Sequence, residues 1–269
     1  MKILYLMTAR GGSKGVARKN LQQIAGVSLI GWKATAAKEA MKYWKAYDDY
    51  KSRLVISTED DEIATEAKFW GVEVPFKRPD ELATDEASSD SVVKHALDTL
   101  GYDSWDAVML LEPSSPFATS MHLCKATGLL MDRDAELVCG MRRTEPHSLF
   151  VEDEHDDGSI VPIICRMDLR AKQNTEGYHS TPGYIFRRQA LPPQWTMNGA
   201  VYLFRTSMFQ REGKIYGICK ALGLLMDQWH GLEIDTERDL ELARYAVEKG
   251  YVVPPESALR SAFRSAFGV

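Results

Sequence analysis

The sequence is poor in cysteine, and its few cysteines form no recognisable pattern. Four are spread over 269 residues, at Cys124, Cys139, Cys165 and Cys219, and no two of them form a C-x-x-C pair. Zinc sites and disulfide frameworks both require closely spaced cysteines, so neither is predicted. We expect buried free thiols in a reducing compartment and therefore a cytoplasmic protein.

Long apolar runs and an excess of positive charge are also absent. No apolar stretch reaches the roughly 20 residues of a membrane-spanning helix, and Met1-Lys2 leads directly into a core-like strand rather than a signal peptide. The formal net charge of −5 argues against a surface that binds nucleic acid. We therefore expect neither a membrane nor a nucleic acid among the partners of this chain.

Two common phosphate-binding motifs are missing as well. The P-loop requires Gly-x4-Gly-Lys-Ser/Thr, whereas this chain carries Ser13-Lys14-Gly15 in a different order. The dinucleotide fingerprint Gly-x-Gly-x-x-Gly does not occur either. A phosphate site in this chain must therefore be of another kind.

The most informative segment is the loop that follows the first predicted strand, residues 2–8. Three glycines between residues 11 and 15 let the backbone turn tightly, and successive N–H groups of such a turn form an anion-binding concavity. Four cations lie in the same loop, at Arg10, Lys14, Arg18 and Lys19. Because ligands of open α/β sheets bind at the carboxyl ends of strands, the loop is predicted to bind polyphosphate. The alternative is an ordinary glycine-rich turn with surface cations.

Strand-like and helix-like segments alternate through the first two-thirds of the chain. This order favours the α/β class, with a mostly parallel sheet that helices cover on both faces. Strands are predicted at residues 3–8, 53–57, 72–74, 107–111, 135–140, 198–204 and 232–234. Helices are predicted at residues 29–47, 60–70, 90–100, 121–133 and 239–249.

Residues 143–196 interrupt this alternation. They are polar, with scattered aromatic residues and prolines, and residues 152–158 (EDEHDDG) indicate a turn or loop. Such an excursion within a compact domain is usually functional or disordered. We therefore predict a core of residues 1–142 and 197–250 that carries an insertion at 143–196.

The remaining residues, 251–269, are predicted to form a tail helix. Leu259, Phe263 and Phe267 recur every four residues and would share one helical face. A helix docked on its own core would tie down the end of the chain. Contact with another subunit is the alternative.

Several further segments, taken together with the loop, resemble one family. They are residues 8–15 (TARGGSKG) with Lys19-Asn20, 57–64 (STEDDEIA), 74–83 (VPFKRPDELA), 111–116 (LEPSSP), 187–192 (RRQALP), 198–202 (NGAVY) and 233–236 (EIDT). In this order they resemble the acylneuraminate cytidylyltransferases, which are the CMP-sialic acid synthetases and relatives acting on other nonulosonic acids. The resemblance implies a Rossmann-like fold of the nucleotidyltransferase type. It also implies that residues 143–196 are an arm that builds a homodimer and reaches the partner's active site.

The resemblance implies that the first loop binds the nucleotide and takes part in catalysis. Arg10, Lys14 and Lys19 would neutralise the triphosphate, together with backbone N–H groups of Gly11, Gly12 and Ser13. Asn20, Arg78 and Ser88 would also contact the nucleotide. Each of these three has an ordinary alternative: a turn residue for Asn20, a surface arginine for Arg78 and a helix cap for Ser88.

A metal site is predicted near the end of the chain. Glu233 and Asp235 alternate across Ile234, so on a strand both carboxylates would point to the same face. They would repel each other unless one is protonated or a cation lies between them, and Mg2+ is a suitable cation. The other interpretation is that Asp235 caps a helix. The resemblance implies metal binding, although the family has an aspartate in place of Glu233.

Sugar recognition is implied for four residues. Glu112 stands where the family usually has glutamine; an ionised glutamate only accepts hydrogen bonds, so the identity of the acceptor sugar is in question. Arg187 and Arg188 are suited to a sugar carboxylate, with lone surface arginines as the alternative. Asn198 matches an asparagine that lines the family's active site, although it could equally bond its own backbone.

These features predict an Mg2+-dependent cytidylyltransferase that joins CTP and a nine-carbon 2-keto acid sugar into a CMP-sugar and releases pyrophosphate. The sugar hydroxyl would attack the α-phosphorus directly, while Arg10, Lys14, Lys19 and the metal held by Asp235 stabilise the developing charge. Another nucleotide donor such as GTP is one alternative. A non-catalytic protein that binds sugar nucleotides is another, because a fold does not determine a function.

Overall fold

The computed structural model describes residues 1–47, 49–144, 152–154, 160–162, 194–217 and 219–255. The chain divides into two compact units, Met1–Met141 with Met197–Val269, and Arg142–Thr196. The predicted sugar ligands Arg187 and Arg188 lie outside the described residues. So do residues 256–269 of the predicted tail helix, whereas residues 251–255 are described and are not helical.

The helices and strands have the following bounds. The strands are β1 (Lys2–Thr8), β2 (Gln23–Ile24), β3 (Val27–Ser28), β4 (Lys51–Ser57), β5 (Ala107–Leu111), β6 (Leu137–Arg143), β7 (Glu152–Glu154), β8 (Ile160–Pro162), β9 (Trp195–Arg205) and β10 (Ala221–Leu225). The helices are α1 (Leu29–Trp44), α2 (Asp61–Phe69), α3 (Ser89–Leu100), α4 (Ser120–Asp132), α5 (Thr206–Glu212) and α6 (Glu237–Glu248). No helix in these ranges is both long and apolar enough to cross a membrane.

A six-stranded sheet in the order β10-β6-β9-β5-β1-β4 forms the centre of the first unit. Strand β1 runs parallel to both β4 and β5, and β10 runs parallel to β6, whereas β9 is antiparallel to β5. This confirms the predicted α/β class with a mostly parallel sheet. Because β4, β1 and β5 are parallel, their carboxyl ends lie at the same edge of the sheet.

The core continues on both faces of this sheet. Along β5, Ala107, Met109 and Leu111 belong to one buried cluster, which also contains residues of α1, α4 and α6. Val108 and Leu110 belong to a second cluster with residues of α3 and α5. Because both faces of β5 are buried, neither face carries polar side chains, and the strand is a continuous apolar run.

Two of the predicted strands do not form. Val72–Val74 contributes only a single bridge between Glu73 and Val55. The segment Leu232–Ile234 is not a strand. Ile234 N donates to the carbonyl oxygen of Ser114 at 2.8 Å, and this single hydrogen bond positions the segment without pairing it to a strand. Three-residue segments with two apolar residues are therefore too short to predict a strand.

The structure also contains elements that the sequence patterns did not indicate. These are α5, β10 and the short antiparallel pair of β2 with β3. In the predicted loop at residues 152–158, the first three residues form β7, which pairs antiparallel with β8. These elements are short or weakly periodic, so their patterns do not stand out from those of loops.

The packing of β5 yields a stability prediction. Met109 is completely buried between helices, so Met109→Ala should lower the free energy of unfolding by about 2–5 kcal/mol through lost burial and a residual cavity. The same substitution at Met121, which is 70% exposed, serves as the matched control and should change stability by no more than about 0.5 kcal/mol. Urea denaturation of both variants measures the difference; equal effects would contradict the described core.

Candidate functional site

A cleft of about 360 Å³ opens at the carboxyl ends of β1 and β5. The loop after β1, the segment between β4 and α3, the residues after β5 and one residue before α6 line it. The structure thus brings together many of the residues predicted for the site. Those that line the cleft are Arg10, Ser13, Lys14, Lys19, Asn20, Arg78, Glu112 and Asp235.

The glycine-rich loop is held in place by polar contacts to its backbone. Glu59 accepts a hydrogen bond from Gly11 N at 2.7 Å. The buried Asn20 donates from Nδ2 to the carbonyl oxygen of Arg10 at 3.0 Å. Asn20 therefore braces the loop in addition to lining the cleft. Gly12 has open space where a side chain would lie, so its surroundings leave room for a ligand beside the backbone.

Asp85 lies opposite the cations of this loop. Its Oδ1 is 2.5 Å from Arg10 Nη2, and its Oδ2 contacts Lys14 Nζ. The hydrogen bonds from Lys14 and Arg10 lower the pKa of the Asp85 carboxyl below its ordinary value. A carboxylate thus occupies the place where an anionic ligand would meet Arg10 and Lys14. Nothing in the sequence marked Asp85, because an isolated acidic residue in a polar loop belongs to no motif.

Arg78 is a buried residue of the cleft wall and not a surface arginine. Its Nε donates to Ser57 Oγ at 3.1 Å, and its Nη2 donates to the Ser57 carbonyl oxygen. Burial lowers the pKa of the guanidinium to about 10, so it remains protonated at neutral pH. Ser57 therefore holds the guanidinium fork in a fixed orientation.

Ser88 lies at the start of α3 and is not part of the cleft lining. Its Oγ accepts a hydrogen bond from Ser91 N at 3.1 Å, which makes it the N-cap of the helix. The capping alternative is therefore the arrangement that the structure shows for Ser88. The next residue, Ser89, lines the cleft instead.

Asp235 reaches the cleft through close contact with the loop after β1. A Cβ atom on Gly15 would lie only 1.9 Å from the Asp235 carbonyl oxygen, so this approach requires glycine. Lys19 Nζ is 3.0 Å from Asp235 Oδ1. The suggestion that Asp235 caps the helix is wrong, because Thr236 is the N-cap of α6 and forms a capping box with Asp239.

Glu112 and Glu233 converge beside Gly199. A Cβ atom on this glycine would lie 2.8 Å from Glu233 Oε1 and 3.1 Å from Glu112 Oε2, and its φ of +67° also favours glycine. Burial raises the pKa of Glu112 to about 7; the Glu233 carboxylate adds to this shift, and the ammonium of Lys33 opposes it. Lys33, a residue that no sequence pattern marked, lies in α1 and is completely buried.

Asn198 is completely buried and is not among the residues that line the cleft. Its Oδ1 accepts a hydrogen bond from Ala200 N at 3.1 Å, and its Nδ2 contacts the sulfur of Met226 at 3.3 Å. This is the backbone-bonding alternative. Asn198 therefore stabilises the strand around Gly199. Its buried position outside the cleft lining argues against direct contact with a sugar.

Asp235 and Glu233 are the two residues predicted to bind a metal ion. Within the described ranges, no group of three or more His, Cys, Asp or Glu side chains is arranged to hold an ion. Mg2+, however, is usually held by one or two carboxylates and completes its shell with water and phosphate oxygens. Asp235, whose side chain is 64% exposed at the cleft, fits that requirement. Glu233 lies beside Glu112 and is not part of the cleft lining.

A basic, glycine-rich loop at the carboxyl edge of a mostly parallel sheet, with an acidic residue opposite, is an arrangement suited to nucleotidyl transfer. Sequence comparison agrees with this class. The family model described as cytidylyltransferase matches residues 4–251, and the chain belongs to this family.

Two named relatives match most of the chain. A CMP-N,N'-diacetyllegionaminic acid synthase of Campylobacter jejuni is 28% identical over 261 residues, which are 95% of this chain and 99% of the relative. An N-acylneuraminate cytidylyltransferase of Escherichia coli is 26% identical over 243 residues, which are 90% of this chain. The match covers only 51% of that relative, so the chain spans about half its length.

A solved structure confirms the fold. The CMP:2-keto-3-deoxy-manno-octonic acid synthetase complexed with CTP matches with a TM-score of 0.60, and the match covers 93% of this chain and all of the other. Its sequence identity is 14%, so this likeness concerns the fold alone. The predicted nucleotidyltransferase type of fold is confirmed.

The position of Asp85 yields a prediction about anion binding. Asp85→Asn removes the charge that pairs with Arg10 and Lys14, so inorganic tripolyphosphate should bind roughly threefold to tenfold more tightly. Isothermal titration calorimetry without a divalent metal measures this change. Asp80→Asn is the control, because it removes the same charge from the same loop at an exposed residue outside the cleft lining. Equal or weaker binding by Asp85→Asn would show that the pairing does not compete with the ligand.

Proposed function

We propose that the protein is a CMP-sugar synthetase that transfers the cytidylyl group of CTP to a nine-carbon 2-keto acid sugar of the nonulosonic class. The observation that carries the proposal is the meeting of Arg10, Lys14, Lys19 and Asp235 in one cleft. Membership of the cytidylyltransferase family and the names of the two relatives support CTP and a sialic-acid-like acceptor.

The reaction is a direct displacement at the α-phosphorus of CTP. The anomeric oxygen of the sugar forms the new P–O bond, the bond to the bridging oxygen of pyrophosphate breaks, and the hydroxyl proton passes to solvent. Arg10 and Lys14 exchange Asp85 for phosphate oxygens, whereas Gly11 N is bonded to Glu59 and Ser13 N to the Gly11 carbonyl oxygen. Once they bind the phosphate, these two cations stabilise the negative charge that develops on it in the transition state.

Asp235 is the residue that we propose as the protein ligand of Mg2+, with Lys19 beside it. The bound ion would neutralise phosphate charge, and phosphate and water oxygens would complete its shell. Glu233 was predicted as a second ligand; its place beside Glu112 supports a more indirect role, through the charge balance at the cleft floor.

The remaining roles concern the base and the sugar. The fixed guanidinium of Arg78 is suited to the acceptor edge of a pyrimidine. Glu112 accepts hydrogen bonds from sugar hydroxyl or N-acyl N–H groups, and Arg187 with Arg188 pairs with the sugar carboxylate. The resemblance of residues 143–196 to an arm that builds a dimer supports a homodimer, which sedimentation velocity would detect. Because CTP is made in the cytoplasm, we place the reaction there.

A substrate panel tests the proposed function. The protein is incubated with Mg2+, one of CTP, GTP, UTP or ATP, and one of several nonulosonic acids, and pyrophosphate release is measured. We expect release with CTP and at least one nine-carbon acid. Release with GTP and with none of the other three nucleotides would show that GTP is the donor in place of CTP. Binding of CMP-sugars with no release under any combination would favour a non-catalytic sugar-nucleotide-binding protein.

The role of Asp235 yields a separate prediction. Asp235→Asn should raise the Mg2+ concentration needed for half-maximal activity and lower turnover, while the melting temperature shifts little because Thr236 caps the helix. Mg2+ titration of the initial rate measures this effect. Glu237→Gln is the control, since Glu237 is an exposed neighbour outside the cleft lining. An unchanged Mg2+ requirement in Asp235→Asn would remove this residue from the metal site.

A further inference from the structure

The buried ammonium of Lys33 has no role in the chemistry described so far. Lys33 lies in the middle of α1, and its side chain is completely buried. Its Nζ donates a hydrogen bond to the carbonyl oxygen of Ala200 at 2.9 Å. A buried charge is costly unless it is paired, so one carbonyl oxygen does not account for a lysine at this position.

Two acidic side chains lie beside the backbone that accepts this hydrogen bond: Glu112, which lines the cleft, and Glu233 next to it. Ala200, which accepts its hydrogen bond, directly follows Gly199, and Glu112 and Glu233 lie against Gly199. Burial lowers the pKa of Lys33, and the carboxylates of Glu112 and Glu233 oppose that shift. The buried cation and the two acidic side chains therefore lie against the same dipeptide, Gly199-Ala200.

Lys19 is the other cation whose charge acts on Glu112. It differs from Lys33 because its Nζ already pairs with Asp235 at 3.0 Å, on the cleft side of the site. Lys33 is the larger influence of the two on the pKa of Glu112. Lys33, whose Nζ bonds the carbonyl oxygen of Ala200 next to Gly199, is therefore the cation on the buried side of Glu112.

We propose that Lys33 is a positioning residue whose buried ammonium stabilises the charge of the Glu112 carboxylate, which accepts hydrogen bonds from the acceptor sugar in the cleft. Lys33 and Glu112 are thus a charge-coupled pair and determine sugar specificity together. A neutral glutamine in place of Glu112 would need no such cation. The sugar-binding part of this proposal rests on the proposed function; the coupling of the two charges does not.

A double-mutant cycle on stability tests the coupling without any substrate. Lys33→Met removes the buried cation that acts on Glu112 and leaves an apolar side chain in its place, so the melting temperature should fall by on the order of 10 °C. Adding Glu112→Gln to that variant should recover a substantial part of the loss, because one of the two carboxylates is then neutral. Lys42→Met, an exposed lysine of the same helix, is the control and should change little.

The activity of the same variants tests the link to the sugar. With the acceptor that the wild type uses, Lys33→Met should raise the KM for the sugar about tenfold or more and leave the KM for CTP nearly unchanged. The double variant should recover sugar use, or accept a different nonulosonic acid. A merely structural lysine would change neither KM selectively, because it would lower the amount of folded enzyme.

Each outcome of the cycle decides the proposal. If the two substitutions lower the melting temperature additively, the charges are not coupled and the proposal is wrong, whether or not the enzyme is active. If Lys33→Met does not fold, recovery of folded protein in the double variant supports coupling, and its failure to fold overturns it. If the wild type releases no pyrophosphate from any substrate pair, the proposed function fails while the stability cycle still gives its answer.

Discussion

The contact between Gly15 and the backbone of Asp235 is the constraint on which the cleft depends. A residue with any side chain at position 15 would collide with the Asp235 carbonyl oxygen, so the loop after β1 and the segment before α6 meet only through glycine. The ion pair of Lys19 with Asp235 spans the same junction. One contact thus sets the path of the basic loop and brings an acidic residue from the far end of the sequence to face it.

The cleft balances its charges internally. Asp85 pairs with Arg10 and Lys14, Asp235 pairs with Lys19, and the charge of Lys33 acts on Glu112 and Glu233. An anionic ligand therefore exchanges one partner for another when it enters, and the gain is the difference between two sets of ion pairs. This arrangement keeps a cluster of cations compatible with a folded chain whose overall charge is negative.

The parts of this structure that the sequence predicts well are those with strong local patterns. The apolar runs of β1 and β5 predict two buried strands, and the glycines after β1 predict a loop, so the edge of the sheet that holds the cleft follows from the sequence. Lys33 and Asp85 could not be found in this way. Lys33 stands among ordinary helix residues, and its burial depends on β9, which lies far along the chain; Asp85 acquires its partners only when the loops meet.

The alternation of apolar and polar residues at 232–234 explains why a strand is predicted there although none forms. Alternating polar and apolar residues predict a strand only if a neighbouring strand is available to pair with it. Ile234 instead makes a single backbone bond to Ser114. The acidic side chains on either side of Ile234 therefore do not share a sheet face: Glu233 lies beside Gly199, and Asp235 lines the cleft.

The insertion leaves the core at the end of β6 and returns at the start of β9, and these strands are neighbours in the sheet. Its two ends are joined by a hydrogen bond from Thr144 N to the Gln194 carbonyl oxygen at 2.9 Å. A segment whose ends already meet closes a loop, and the entropy of closing a loop grows only slowly with its length. The length and sequence of this insertion can therefore change during evolution with little effect on the register of the strands that carry the loop after β1.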